Sequence, residues 1–148
     1  MKISLVSSRQ DPGGSTIHRA LSGLLSEPHQ PYALEKHELF HCYVKDRLIY
    51  QDTIDRQMDS DLIIFLSRHS SVNPVPVLTV HVTGNITTAD FGGSERVLAP
   101  AAPGWMQAIL RGLHARKPQG YRVAYEVTHH GPSDLATPSL FVEVGSTE

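Results

Sequence analysis

The stretch Asp61-Leu62-Ile63-Ile64-Phe65-Leu66-Ser67 decides the fold. Five apolar residues follow one another with no polar interruption, which is the pattern of a strand buried on both faces in the middle of a sheet. Two similar segments stand on either side of it. Lys2 to Ser7 is a short apolar run at the start, and Val77 to Val82 follows after Pro74 and Pro76, which mark a loop. Tyr121 to Val127 and Leu140 to Val144 read as further strands. Residues 32–50 look extended, through Leu34, His41 to Val44 and Leu48-Ile49-Tyr50, with Lys45-Asp46-Arg47 as the hairpin turn between the last two.

Helical spacing appears twice between these strands. After the turn cluster Asp11-Pro12-Gly13-Gly14, Ser15 is placed to cap a helix whose stripe is Ile17, Ala20, Leu21, Leu24 and Leu25, ended by Pro28 and Pro31. Trp105, Met106, Ile109, Leu110 and Leu113 form a second stripe, with Pro103 in its first turn and Pro118 and Gly120 beyond its end. Residues 83–104, rich in Gly, Thr, Ser and Ala, read as one long loop. The expectation is one α/β domain over residues 1–148, a mixed sheet with flanking helices.

Composition agrees with a single folded domain. The 148 residues are 40% hydrophobic and 19% charged, enough to build a core. No apolar run approaches the ~20 residues of a membrane span, and the apolar start is too short for a signal peptide. The expected setting is soluble and cytoplasmic. A lone Cys42 excludes an internal disulfide and reads as a small buried hydrophobe, and the sequon at Asn85-Ile86-Thr87 reads as accidental. The net charge of −2 does not announce a nucleic-acid binder, and neither DNA nor a membrane is an expected partner. The charge is uneven, however: residues 61–125 carry 6 basic and 3 acidic side chains, and residues 126–148 carry 4 acidic and no basic ones.

Three polar clusters stand at expected strand ends: Ser67-Arg68-His69, then His81-Val82-Thr83-Gly84-Asn85, then Thr128-His129-His130-Gly131-Pro132-Ser133. Ligands bind beyond the carboxyl ends of strands in open α/β sheets, and parallel strands would bring all three clusters to one rim. Among nine histidines, His69, His81, His129 and His130 can offer imidazole to zinc, and Glu126 or Glu143 can add a carboxylate. Adjacent residues of a strand point to opposite faces, so His129 and His130 share an ion only where the backbone turns, as Gly131-Pro132 would allow. Arg68 suits a phosphate or carboxylate, and the glycines at 84, 92 and 93 suit close backbone approach to a ligand. Surface positions are expected for His18, His29, His37 and His114. Ser67 or Ser133 beside a histidine is a further nucleophile pair to weigh.

Together the motifs carry a resemblance. Ser67-Arg68-His69, Leu78-Thr79-Val80-His81 running into Thr83-Gly84-Asn85, Ala89-Asp90-Phe91-Gly92-Gly93, Glu126 to Ser133, and Pro138-Ser139 leading to Phe141-Val142-Glu143-Val144-Gly145-Ser146 stand in this order. The sequence resembles the archaeal-type D-aminoacyl-tRNA deacylases from Lys2 to Ser146. The resemblance implies a mixed sheet with helices on both sides, like the phosphorylase and peptidyl-tRNA hydrolase folds. It implies hydrolysis of the ester of D-aminoacyl-tRNA with zinc-activated water, releasing D-amino acid and tRNA. The implied catalytic and metal set is His81, His129, His130 and Glu143, and the implied substrate contacts are Arg68, His69, Thr83, Gly84, Asn85 and Asp90. Arg111, Arg116, Lys117 and Arg122 would meet tRNA phosphates, in a monomer or homodimer. Members of that family run to about twice this length, so this chain matches their N-terminal part. The other classes open to the same residues are a non-catalytic RNA- or nucleotide-binding relative and a phosphorylase-like enzyme acting on a free nucleoside.

Overall fold

A computed structural model of the chain describes residues 1–24, 32–34 (backbone path), 36–72 and 74–145. The strand at Leu62–Arg68 lies in the interior of a sheet, as its unbroken apolar run requires; Leu62, Ile63 and Phe65 have no exposed surface. In chain order the strands are β1 (Lys2–Ser8), β2 (Tyr32–Leu34), β3 (His37–Val44), β4 (Leu62–Arg68), β5 (Val77–Val82), β6 (Gly84–Asn85), β7 (Arg122–Tyr125), β8 (His129–His130) and β9 (Ser139–Gly145). The helices are α1 (Pro12–Leu24) and α2 (Pro103–Arg116). The described residues form a seven-stranded sheet in the order β2-β3-β1-β4-β9-β5-β7, and a small antiparallel pair of β6 with β8. The large sheet is mixed, as expected: β3, β1, β4 and β9 run parallel, β5 is antiparallel to β9, and β7 is parallel to β5.

Each face has its own core. Ile3, Leu62, Ile64, Val80 and Leu140 pack against Trp105, Met106, Ile109, Leu110 and Leu113 of α2. Helix α1 covers the same face on the other half of the sheet, where His18 stacks on Tyr43 of β3. The second face carries Val6, Ile63, Phe65 and Phe141, covered by Leu48, Ile54, Ala99 and Leu135. The resemblance implied helices on both sides. Here the two described α-helices share one face, and short 3-10 turns and loops cover the other.

Four local expectations change. Leu48–Tyr50 is a 3-10 turn, not a strand, and Leu48 enters the core from it. A three-residue apolar run has no period that separates strand from turn. Helix α1 begins at Pro12, with Asp11 as its cap: Asp11 Oδ1 accepts the Gly13 N–H at 2.9 Å. Ser15 therefore lies inside the helix, its hydroxyl 2.8 Å from that of Tyr43. The α1 stripe is shallower than its spacing predicts. Ile17 and Leu21 are half-buried, Ala20 and Leu24 are exposed, and Leu25, Pro28, His29 and Pro31 lie outside the described residues. The edges of the last two long strands shift by one or two residues, to Arg122–Tyr125 and Ser139–Gly145.

Candidate active site

The alternation of β9 builds the site. Ser139, Phe141 and Glu143 point to the loop-covered face, while Leu140 and Val142 pack toward α2. The register places Phe141 between Phe65 and His81, and Glu143 between Ser67 and Thr79. An apolar row thus lies beside a polar row on one face. Phe141 supports the histidines: its ring stacks on His81 with centroids 5.1 Å apart and meets His130 edge-on at 4.6 Å.

The three polar clusters do converge, though not at a rim. Because β5 runs antiparallel to β9 and β4, its carboxyl end lies opposite that of β4. The clusters meet over the sheet face, at Glu143. The Ser67 hydroxyl donates to Glu143 Oε1 at 2.6 Å, and His69 Nδ1 lies 3.3 Å from Oε2. His81 Nε2 and His130 Nε2 lie 3.8 and 3.7 Å from Oε1. His69 Nδ1 also faces Glu126 Oε2 at 3.1 Å. Burial opposes the ionisation of Glu143, but the facing His130, His69 and His81 outweigh it and hold the carboxyl well below the usual carboxylate range. The hydrogen bond to Glu143, with Glu126 beside it, raises the pKa of His69 despite its burial.

The tautomers sharpen the picture. His81 Nδ1 lies 2.9 Å from the Val82 carbonyl, and His130 Nδ1 lies 2.9 Å from the Gly131 carbonyl. A carbonyl only accepts, so each Nδ1 carries a hydrogen and Nε2 is the atom turned toward Glu143. Among the described residues His81 Nε2 is buried with no hydrogen-bond partner. Two imidazole Nε2 atoms and a carboxylate oxygen converge here, and a backbone carbonyl on the second nitrogen is the usual support of a metal-ligating histidine. His81, His130 and Glu143 therefore fit a borderline cation such as zinc. His69, Glu126 and Glu143 form a second donor group that shares the Glu143 carboxylate.

The long loop holds this arrangement. Gly84 and Asn85 pair with His130 and His129 across β6 and β8. This short strand turns His130 inward and leaves His129 exposed, its Nδ1 2.7 Å from the Val127 carbonyl. His129 lies near the other rings, 5.4 Å from His81 by centroids, but belongs to neither donor group. Gly131 packs so closely on Gly92, Gly93 and Ile49 that no Cβ fits there.

A cavity of ≈ 320 Å³ opens above Glu143. The buried residues Ser67, His69, His130, Phe141 and Glu143 form its floor. Exposed Arg68 lies at its mouth, its backbone N–H donating to Asp11 Oδ2 at 2.7 Å. The other expected substrate contacts lie elsewhere. The Thr83 hydroxyl is buried 2.6 Å from that of Ser139. Gly84 is buried beneath Val97 and Leu98, with φ 115°. Asn85 is fully buried and donates to the Gly92 and Ser94 carbonyls, so its sequon has no accessible amide. Asp90 is exposed, paired with the Thr88 hydroxyl at 3.0 Å. Ser133 accepts the Ser94 N–H, a structural role. Arg111 and Arg116 are carried on α2, across the sheet from the cavity, and Lys117 just beyond it donates to the Tyr121 carbonyl. Arg122 begins the edge strand β7.

Sequence reasoning missed Arg47, which joins Arg68 at the mouth although its sequence context reads only as a turn. His18 is half-buried against Tyr43, and His37 meets Trp105 edge-on at 5.2 Å, so neither is a free surface residue. Cys42 is half-buried against the core, and burial raises its thiol pKa.

Comparison with known proteins places this geometry. The D-aminoacyl-tRNA deacylase family model matches residues 56–148. The D-aminoacyl-tRNA deacylase of Methanoculleus marisnigri is 58% identical over 147 residues, covering 99% of this chain and 34% of the relative. The crystal structure of AF0625, a conserved protein of unknown function, superposes with a TM-score of 0.79 at 37% identity, over 100% of this chain and 56% of that one. Pyrrolidone carboxyl peptidase from Fervidobacterium islandicum AW-1 shares the fold alone, with a TM-score of 0.54 at 13% identity over 97% of this chain and 80% of its own. The expected factor of two in length holds against AF0625, whereas the chain spans about a third of the Methanoculleus relative. No described helix is long and apolar enough to cross a membrane. By its family match and its identity to these relatives, the chain belongs to the D-aminoacyl-tRNA deacylase family.

Proposed function

We propose that this chain carries the hydrolytic site for the ester of D-aminoacyl-tRNA, working where tRNA does, in the cytoplasm. The observation that supports this most is the convergence of His81 Nε2 and His130 Nε2 on Glu143 Oε1, with His130 and Glu143 at the floor of an open cavity and His81 buried behind them. His81, His130 and Glu143 would hold zinc, which when bound polarises a carbonyl and brings the pKa of water down to ~7.

The chain's own residues do the rest. Ser67 fixes the Glu143 carboxylate through its hydroxyl, so the acceptor oxygen keeps one direction. His69 Nδ1 holds a proton between Glu143 and Glu126 and offsets the repulsion of the two carboxylates. His129 has its Nδ1 hydrogen committed to the Val127 carbonyl, which leaves Nε2 as the acceptor for a proton at the cavity wall. Phe141 adds an apolar ring to the floor beside His130, and a low-polarity neighbour strengthens each of these interactions. The cavity volume lies at the small end of ligand sites, fitting an aminoacyl ribose rather than a folded RNA element.

The test is hydrolysis of D-Tyr-tRNA and L-Tyr-tRNA by this chain, before and after verified metal removal. The D-ester is cleaved, the L-ester survives, chelation abolishes the rate and zinc restores it. Equal cleavage of both esters refutes the D-specific reading. An unchanged rate after metal removal refutes the role of zinc.

A further inference from the structure

The mouth of the cavity carries three exposed side chains that the hydrolytic reading leaves without a role: Arg47, Arg68 and Phe91. Their placement is fixed by the chain around them. Arg68 follows Ser67 at the end of β4; its N–H is tied to Asp11 Oδ2, and its Cβ packs on Gly13 so closely that no Cβ fits there. Arg47 comes from the turn after β3, on a segment whose Leu48 is anchored in the core. Among the described residues neither guanidinium has an ion-pair partner; Arg47 rests over the Tyr50 ring, 5.9 Å from its centroid. Asp11 is one of the two carboxylates in the lining, with Glu143, and both its oxygens accept backbone N–H groups, from Gly13 and from Arg68.

Phe91 is 55% exposed, yet its backbone is pinned on its carboxyl side. Its carbonyl accepts the Gly131 N–H at 3.0 Å. Gly92 next to it has φ 77° and sits against Ile49 with no room for a side chain. An aromatic ring held open to solvent beside a cavity, with two unpaired guanidiniums on the same rim, has the chemistry of a base-stacking face next to a phosphate clamp.

We propose that this mouth is a mononucleotide subsite, in which Phe91 stacks the base and Arg47 and Arg68 hold the phosphate of the nucleotide whose ribose enters the cavity. The proposal rests on the reading that the acylated ribose reaches Glu143. It adds the residues that select a nucleotide carrying a 5′-phosphate over a bare nucleoside. Contacts to an ionised phosphate are charge-assisted, and base stacking tolerates any base, so the subsite selects phosphate strongly and base identity weakly.

The test is equilibrium binding of AMP, adenosine and inorganic phosphate to the whole chain. AMP binds on the order of tenfold more tightly than adenosine, and the doubly substituted variant Arg47→Ala, Arg68→Ala binds the two alike. Phe91→Ala weakens AMP and adenosine together by on the order of tenfold, and Phe91→Tyr restores both. Arg19→Ala, an exposed charge on α1 away from the cavity, changes none of these. The proposal is overturned if AMP has no advantage over adenosine, if neither binds, or if the advantage survives in the double variant. No arm involves ester cleavage: hydrolysis without an AMP preference removes the subsite alone, and an AMP preference without hydrolysis removes the hydrolytic reading alone.

Discussion

Two groups of histidines lie on opposite faces of the sheet, and His41 from one and His69 from the other shift in opposite directions. On the helix-covered face, His41 Nε2 is 3.1 Å from the Ser7 hydroxyl and 3.3 Å from His18 Nδ1, and His18 stacks on Tyr43. Burial pushes His41 down to about 4, with His18 adding to the effect, and burial together with Arg9 lowers His18. On the loop-covered face, His69 is also buried, yet its hydrogen bond to Glu143 raises its pKa. A carboxylate within hydrogen-bond reach decides the sign. The first group is polar packing around a hydroxyl; the second surrounds a buried carboxylate with imidazoles.

That contrast breaks most sharply at Glu143. Glu143→Gln keeps the shape and removes the charge, and hydrolysis falls on the order of 10²- to 10⁴-fold. His69 then loses its first support, and its NMR titration midpoint moves down toward the behaviour of His41. A variant that keeps full activity would detach Glu143 from the chemistry. His130→Asn and His81→Asn each weaken zinc binding, read by competition with a chromophoric chelator, whereas His41→Asn leaves zinc affinity unchanged. Equal loss in all three would erase the distinction between the two groups. Ser67→Ala frees the Glu143 carboxylate and costs roughly 10- to 100-fold in activity or metal affinity, the usual weight of a support to a ligand.

The smallest effect belongs to the neutral pair. The unfolded chain protonates His41 near its ordinary value of 6.5 and the folded chain only near 4, so the unfolded state binds more protons in between. Stability is complete above the upper value and drains as pH falls toward the lower one. His41→Leu flattens this drain by about 1 kcal/mol, a figure reduced for the partial solvent access of the ring. Urea midpoints at pH 7 and pH 4.5 check it, and equal pH dependence in parent and variant would contradict it.

Much of the fold was legible because burial leaves a period in the residues. Leu62 to Leu66 could only be interior, and the stripe from Trp105 to Leu113 could only be a helix against a sheet. The 3-10 turn at Leu48 left no such trace, because three apolar residues suit a turn as well as a strand. Of the site, His81 and His130 were legible as residue types at strand ends, and Glu143 as one of two carboxylates that could join them. Their meeting point was not, because it depends on β5 running antiparallel to β9, a pairing direction that no local pattern encodes. Thr83, Gly84 and Asn85 looked like ligand contacts because the same chemistry, small residues and an amide, also builds a bracket for a loop. Arg47 had no signal, since an exposed arginine in a turn is ordinary until a cavity is seen beside it.

The sheet's strand order also has a consequence for its closure. β9 is the last of the described strands in the chain, yet it sits inside the sheet, between β4 and β5. The β2-β3-β1-β4 half and the β5-β7 half share no direct pairing, so residues 139–145 alone bond them together. The two halves become one sheet only when this segment is in place. The strand that closes the sheet is the one that carries Glu143, so the sheet and the side-chain cluster around that carboxylate depend on the same seven residues.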